Sequence, residues 1–367
     1  KFFSGSQGSG IPQTIAAINT ENEDRRSVYL SIRLAIGKFV LTVIGLFSGA
    51  SVGREGPTVQ IGASIMQSLG KFTRFSRVET KRGLILAGGA AGVAAAFNTP
   101  LAGIVFAIEE MSRNYESRTS GTVLTSVIVA GIVSIWWLGD YTYFGTTSAI
   151  LNGASAWGPV IVCGVLGGVL GGIFSQVLIF VSRGIPGKLG IFAKANPVMF
   201  AAICGFMLAV IGALSGSTTY GTGYHEARSI LEGSGDIPES FGILKLLATL
   251  ISYISGIPGG VFAPSLAVGA GLGQNIAHMM PYAPLGAVVV LGMVAYFAGV
   301  VQAPVTAFVI VMEMTDNHDM IVPLMATSLL AAGCSKVVCR KPLYRALADQ
   351  FIYDPKANGS KSSIRDK

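Results

Sequence analysis

Three clusters of glycine and proline mark the positions where this chain could do chemistry. They are Gly8-Ser9-Gly10-Ile11-Pro12, Gly53-Arg54-Glu55-Gly56-Pro57 and the run from Gly256 to Pro264, GIPGGVFAP. Each stands directly before an apolar stretch. Proline fits the first turn of a helix and glycine lets the preceding backbone turn sharply, so each cluster reads as a helix N-terminus. A helix N-terminus carries about +0.5 of a charge and several unpaired N–H donors. Several of them converging make an anion site that needs no Lys or Arg. Partial charges suit transport, because a halide held by them can leave again. Ser9 in the first cluster and Tyr344 after the last apolar run are candidate hydroxyl donors. Glu55 stands where an anion is favoured. Its carboxylate can take the anion's place when ionised and swing away when protonated, or it can be an ordinary first-turn glutamate that satisfies the dipole. An ionisable residue at membrane depth favours the functional role. Arg54 reads as structural, paired with a carboxylate or with backbone carbonyls.

The elements that would position these groups are membrane helices. The chain has 367 residues, 51% hydrophobic and 12% charged. A soluble domain carries about 25% charged residues, so an ordinary soluble enzyme and a disordered protein are both excluded. Residues 246–312 contain no Asp, Glu, Lys or Arg, and neither do 141–182, 84–108, 121–139, 195–224 and 320–335. A spanning helix takes roughly 20 apolar residues, which gives room for about ten or more membrane segments. The net charge is +7. Its basic residues fall in short polar gaps (Arg25, Arg26, Arg33 and Lys38; Lys71, Arg74, Arg77, Lys81 and Arg82; Lys336, Arg340, Lys341 and Arg345) and read as cytoplasmic membrane-flanking loops, with no pattern suited to nucleic acid. Cys163, Cys204, Cys334 and Cys339 lack metal spacing and read as packing residues. His225, His278 and His318 are scattered, so neither a metal site nor a cofactor is expected. The opening residues do not read as a signal peptide.

The sequence repeats itself. Residues 98–111, NTPLAGIVFAIEEM, match 302–315, QAPVTAFVIVMEMT, at an offset of 204 (302 − 98). Gly88–Phe97 align with Gly292–Val301 at the same offset. Pro57 and Pro264 lie 207 apart (264 − 57), and the Gly8 and Gly221 clusters 213 apart (221 − 8). Two structural halves are therefore expected, about 1–150 and 155–345, followed by a short polar tail at 346–367. Halves with interrupted helices in matching places are a feature of secondary transporters. The run Gly164–Gly172 reads instead as close helix packing.

Together GSGIP (8–12), GREGP (53–57), GVFAP (260–264) and Pro342-Leu343-Tyr344, in this order, resemble the signature segments of the CLC chloride channel and chloride/proton antiporter family. The resemblance runs from residue 8 to about 345. It implies an all-α polytopic membrane protein of two inverted repeats with tilted, broken helices, assembled as a homodimer with one pore per subunit. It implies that the hydroxyls of Ser9 and Tyr344 and the amides of Val261 and Phe262 bind the central chloride. The amides of Arg54, Glu55 and Gly56 would form the external anion site, and Glu55 would be the gating glutamate. Glu110 resembles the internal proton acceptor of the antiporters, with Glu109 the competing candidate; the repeat pairs Glu109 with Glu313. An acid at that position favours antiport over a passive voltage-dependent channel, and Ser9 favours chloride over nitrate. The helices that normally precede GSGIP and the paired cytosolic nucleotide-binding modules of many eukaryotic relatives are missing from this sequence. A prokaryotic-type protein of a bacterial inner membrane, with chloride, protons and the lipid bilayer as its partners, is expected.

Two functions of other classes fit the sequence less well. Gly62-Ala63-Ser64 with His278 could imitate an intramembrane serine protease, but a nucleophile and its base must meet in a water-filled site. A nontransporting membrane scaffold has no use for a carboxylate in GREGP.

Overall fold

The computed structural model describes residues 3, 5–20, 22–72, 78–112, 117–139, 141–151 and 157–352. Arg74, Arg77 and the tail beyond residue 352 lie outside them. The first half comprises α1 (Ile11–Asn19), α2 (Glu23–Tyr29), α3 (Ile32–Phe47), α4 (Glu55–Phe72), α5 (Val78–Phe97), α6 (Pro100–Phe106) continued by a π-helical turn (Ala107–Ser112), and α7 (Ser117–Leu138). The second comprises α8 (Trp157–Ser182), α9 (Gly187–Ala195), α10 (Pro197–Leu214), α11 (Tyr224–Glu232), α12 (Phe241–Ile254), α13 (Phe262–Met279), α14 (Leu285–Val301), α15 (Pro304–Thr315) and α16 (Ile321–Val338). A last helix, α17 (Leu343–Ile352), crosses position 345 and packs against α1. The Tyr29 hydroxyl donates to the Phe351 carbonyl at 2.7 Å.

Among the described residues, five helical segments are long and apolar enough to cross a membrane: Glu23–Phe47, Gly121–Leu138, Trp157–Ser182, Pro197–Leu214 and Ile321–Val338. The other apolar helices are shorter or less hydrophobic. The uncharged run 246–312 is not a series of full spans. It holds the end of α12, all of α13 and α14, and most of α15. Gly256–Pro264 and Gln302-Ala303-Pro304 cut it, because proline cannot continue a helix and lacks a donor.

The sequence repeat is a structural repeat. Helices α4 and α13 are both 18 residues long and begin 207 positions apart (262 − 55), while α1 and α11 are both 9 residues long and 213 apart (224 − 11). Asn98 and Gln302, the matched residues at the breaks, both adopt a left-handed backbone with φ of 57°. Few non-glycine residues sit there, so the coincidence marks a shared local fold.

The halves are also inverted. Near the C-terminal end of the α6 segment, Glu109 accepts hydrogen bonds from the amides of Val305 (3.1 Å) and Thr306 (2.6 Å), in the first turn of α15. Near the end of α15, Glu313 accepts from Leu101 (3.1 Å) and Ala102 (2.7 Å), in the first turn of α6. Each helix thus meets the other's start with its own end, so the two run antiparallel about a two-fold axis. The Gly-rich face of α8 explains why that helix sits where it does. A Cβ on Gly167 or Gly171 would fall within 2.8 Å of the α14 backbone, and one on Gly168 would strike Ala331 of α16. The glycine run is packing, as its composition indicates.

Candidate functional site

The three glycine clusters meet in the interior. Gly53 and Gly260 exchange backbone hydrogen bonds, each N–H donating to the other's carbonyl at 2.7 Å. They too are 207 apart, so the pair straddles the axis between the halves. The Gly259 amide donates to the Gly8 carbonyl at 3.2 Å, tying in the first cluster. Gly10, in the left-handed region at φ 104°, caps α1 and is packed so tightly on α4 that a Cβ would lie 2.7 Å from the Gly56 carbonyl oxygen. Gly56 in turn faces Ser9, whose carbonyl oxygen would lie 2.6 Å from a Cβ placed there.

The first amides of α4 and α13 have no intrahelical carbonyl to bind. They open onto this junction. Helix α13 is anchored there by the Phe262 ring, which packs on Phe97, Phe106, Phe297 and Tyr344 with centroid separations of 4.7 to 6.5 Å. Two of those rings come from each side of residue 150, so the anchor itself joins the halves.

Glu55 is fully buried, and its carboxylate folds back into the hollow between Gly53 and Gly260. A Cβ on Gly260 would sit 2.8 Å from its Oε2. The carboxylate faces the amides of Arg54, Glu55 and Ala263 without hydrogen bonds of standard geometry. The hydroxyls of Ser9 and Tyr344 are buried in the same region, approach one another, and have no protein partner of standard geometry. A buried polar atom left unpaired costs about 1–3 kcal/mol. The helix amides can only donate and the hydroxyls can donate, so an anion fits this cluster.

Of the residues singled out in the sequence, Ser9, Glu55, Gly56, Val261, Phe262 and Tyr344 come together. Arg54 contributes only backbone. Its guanidinium turns away, donates to the Ala96 carbonyl at 3.1 Å, and lies over the Tyr143 ring at 5.4 Å. Glu110 is buried on the π-turn, within electrostatic reach of Tyr344. Glu109 faces the other way, onto α15. Ser64 and His278 do not form a pair: Ser64 is buried in α4, while His278 is exposed beside Glu239 at 3.2 Å. Among the described residues no group of His, Cys, Asp and Glu could hold a metal ion.

Two buried lysines hold the glycine loops. Lys38, read as a flanking-loop residue, is instead fully buried in α3 and donates to the carbonyls of Ser6 and Gly8, both at 2.7 Å. Arg26 was misplaced likewise; it is buried and donates through Nε to Thr20 (2.7 Å) and Ala17 (3.2 Å) carbonyls. Lys245 is fully buried in α12 and donates to the carbonyls of Thr219, Tyr220 and Gly221 at 2.9, 3.3 and 2.8 Å. The available signal was a lone lysine in the apolar segment FGILKLLATLISYI, 207 positions after Lys38.

Known proteins resemble this chain along most of its length. The chain is 33% identical over 368 residues to the H(+)/Cl(-) exchange transporter ClcA of Yersinia pestis bv. Antiqua (strain Angola), a match covering 95% of this chain and 73% of that protein. It is 30% identical to ClcA of Vibrio vulnificus (strain YJ016), covering 97% and 77%. The crystal structure of a slow cyanobacterial Cl-/H+ antiporter superposes with a TM-score of 0.78 at 29% identity, covering 97% of this chain and 84% of that one. The voltage gated chloride channel family matches residues 1–336, and with that share of the sequence this chain belongs to the voltage gated chloride channel family.

Proposed function

We propose that this protein carries chloride across a membrane in exchange for protons, with Glu55 as the gate. One observation carries the reading: the Glu55 carboxylate lies where the helix N-termini converge, the place an anion would take. Ionised, it competes with chloride for the same partial charges. Protonated, it loses that attraction and the anion can take its place. A proton and an anion are thus linked by mutual exclusion, which is a differential affinity between two states of one site. Ser9, Tyr344 and the amides of Val261 and Phe262 hold the central chloride, and the amides of Arg54, Glu55 and Gly56 hold the outer one. Hydroxyls and amides bind weakly enough for release.

Glu110 receives the proton on the other side. It is a buried carboxylate within electrostatic reach of Tyr344, and a passive channel would have no use for it. The similarity to H(+)/Cl(-) exchange transporters supports exchange over simple conduction. The chain is an integral membrane protein. Its bacterial relatives support the inner membrane as its location, and we take the working unit to be a homodimer with one pathway per subunit.

The test is reconstitution into liposomes with chloride and proton fluxes recorded together. A chloride gradient should drive protons against their own gradient. Chloride flux with no proton movement would make the protein a channel.

A further inference from the structure

We propose that Glu109 is a positioning residue for proton transfer: by capping α15 from within the π-turn, it fixes the direction in which Glu110 points. The inference rests on Glu110 being the proton acceptor.

A carboxylate near the C-terminal end of its own helix is repelled by that helix's dipole. Glu109 and Glu313 both occupy such positions, and both are compensated by the N-terminal amides of the opposite helix. Up to this point the two halves are alike. They differ in the turn that carries the cap. The second-half helix remains α-helical to Thr315, whereas the first-half helix passes into the π form at Ala107. The sequence spacing is the same in both, so no inserted residue causes the change. Single π turns are uncommon, concentrate at functional sites and alter the direction of the side chains they carry.

The residue after each cap shows what the difference does. Met314 follows Glu313 and is buried in the apolar core. Glu110 follows Glu109 and is buried within electrostatic reach of Tyr344. A two-bond anchor on one residue of a turn removes most of the rotational freedom of its neighbour. Glu109 thus holds the turn on α15 while Glu110 faces the chloride side. In the second half the same anchor holds nothing ionisable, so Glu313 is a built-in control.

The experiment uses the reconstituted full chain and reads proton uptake, chloride flux and thermal stability for each variant. Glu109→Ala should lower proton uptake by roughly ten- to a hundredfold, the range over which misplacing a reacting group by about 1 Å acts, with chloride flux retained. Glu313→Ala loses the same two hydrogen bonds and should lower thermal stability comparably, yet keep the proton-to-chloride ratio. Glu109→Gln keeps one acceptor oxygen and should restore part of the proton flux, which also covers the case of an Ala variant that fails to fold.

An equal drop of the ratio in Glu313→Ala would show general loosening and overturn the proposal. So would an unchanged ratio in Glu109→Ala. If Glu109→Gln abolishes proton uptake as completely as Glu110→Gln does, Glu109 carries the proton itself and the positioning role is wrong. Intact proton uptake in Glu110→Gln, by contrast, removes the underlying assignment of Glu110.

Discussion

Lys38 and Lys245 occupy equivalent places in the two halves, 207 positions apart, and each spreads a buried ammonium over the carbonyls of a glycine loop. Only the first of those loops continues into a residue proposed to bind the anion. Gly8, whose carbonyl Lys38 holds, is followed by Ser9; Gly221 is followed by Thr222, whose Oγ1 accepts instead from the Tyr224 amide at 3.3 Å. Hydrogen bonds from a charged donor are worth about 1.5–3 kcal/mol. Lys38→Met keeps most of the stem and removes the charge. It should weaken halide binding by roughly tenfold or more, since about 1.4 kcal/mol is a factor of ten. Lys245→Met should lower stability while leaving halide affinity near the parent value. Calorimetric titration of both variants with chloride separates the two roles, and equal losses would contradict the assignment.

Glu55→Gln mimics the protonated gate. Chloride should pass, proton movement should stop, and chloride flux should lose most of its dependence on external pH. The sign in the parent protein follows from the competition: lowering the external pH protonates Glu55, withdraws the competing carboxylate and raises chloride flux. Paired flux recordings across a pH series check this. Persistent proton exchange in the variant would sink the mechanism.

Glu110→Gln preserves size and removes the titration. Chloride flux should continue while chloride-driven proton uptake disappears. The measurement is the initial rate of proton uptake in liposomes under a chloride gradient.

Tyr344→Ala removes the hydroxyl that faces Ser9 at the junction. A neutral hydrogen bond contributes about 0.5–1.5 kcal/mol, so halide affinity should fall by roughly tenfold or less. Removing the ring also takes one face from the Phe262 cluster, which Tyr344→Phe retains. The Phe variant should therefore lose affinity with little loss of stability. Unchanged halide binding in both folded variants would take Tyr344 out of the site.

The glycine and proline clusters were legible because their chemistry is local: each fixes the start of a helix within five or so residues. The offsets also revealed two halves. Their inversion, implied by the family resemblance, could not be read from the offsets, since it resides in contacts such as Glu109 with Val305 and Thr306, made between segments almost two hundred residues apart. Lys38 and Arg26 were misread for a physical reason. In a membrane sequence a charge ordinarily marks the edge of the apolar region, and composition cannot reveal that backbone carbonyls surround it. The π-turn was equally hidden, because 98–112 and 302–316 have the same length and no inserted residue marks the change in backbone hydrogen bonding.

The Gly53–Gly260 bridge has a consequence for how the junction is assembled. A residue that pairs with its own counterpart lies beside a rotation axis, and the junction next to it is assembled from both halves. One half by itself would present part of a junction, while two identical copies facing in opposite directions would complete it. The single chain supplies both members of such an antiparallel pair. Its matched positions are not bound to carry the same side chain: the residue after the capping glutamate is a carboxylate at 110 and a thioether at 314.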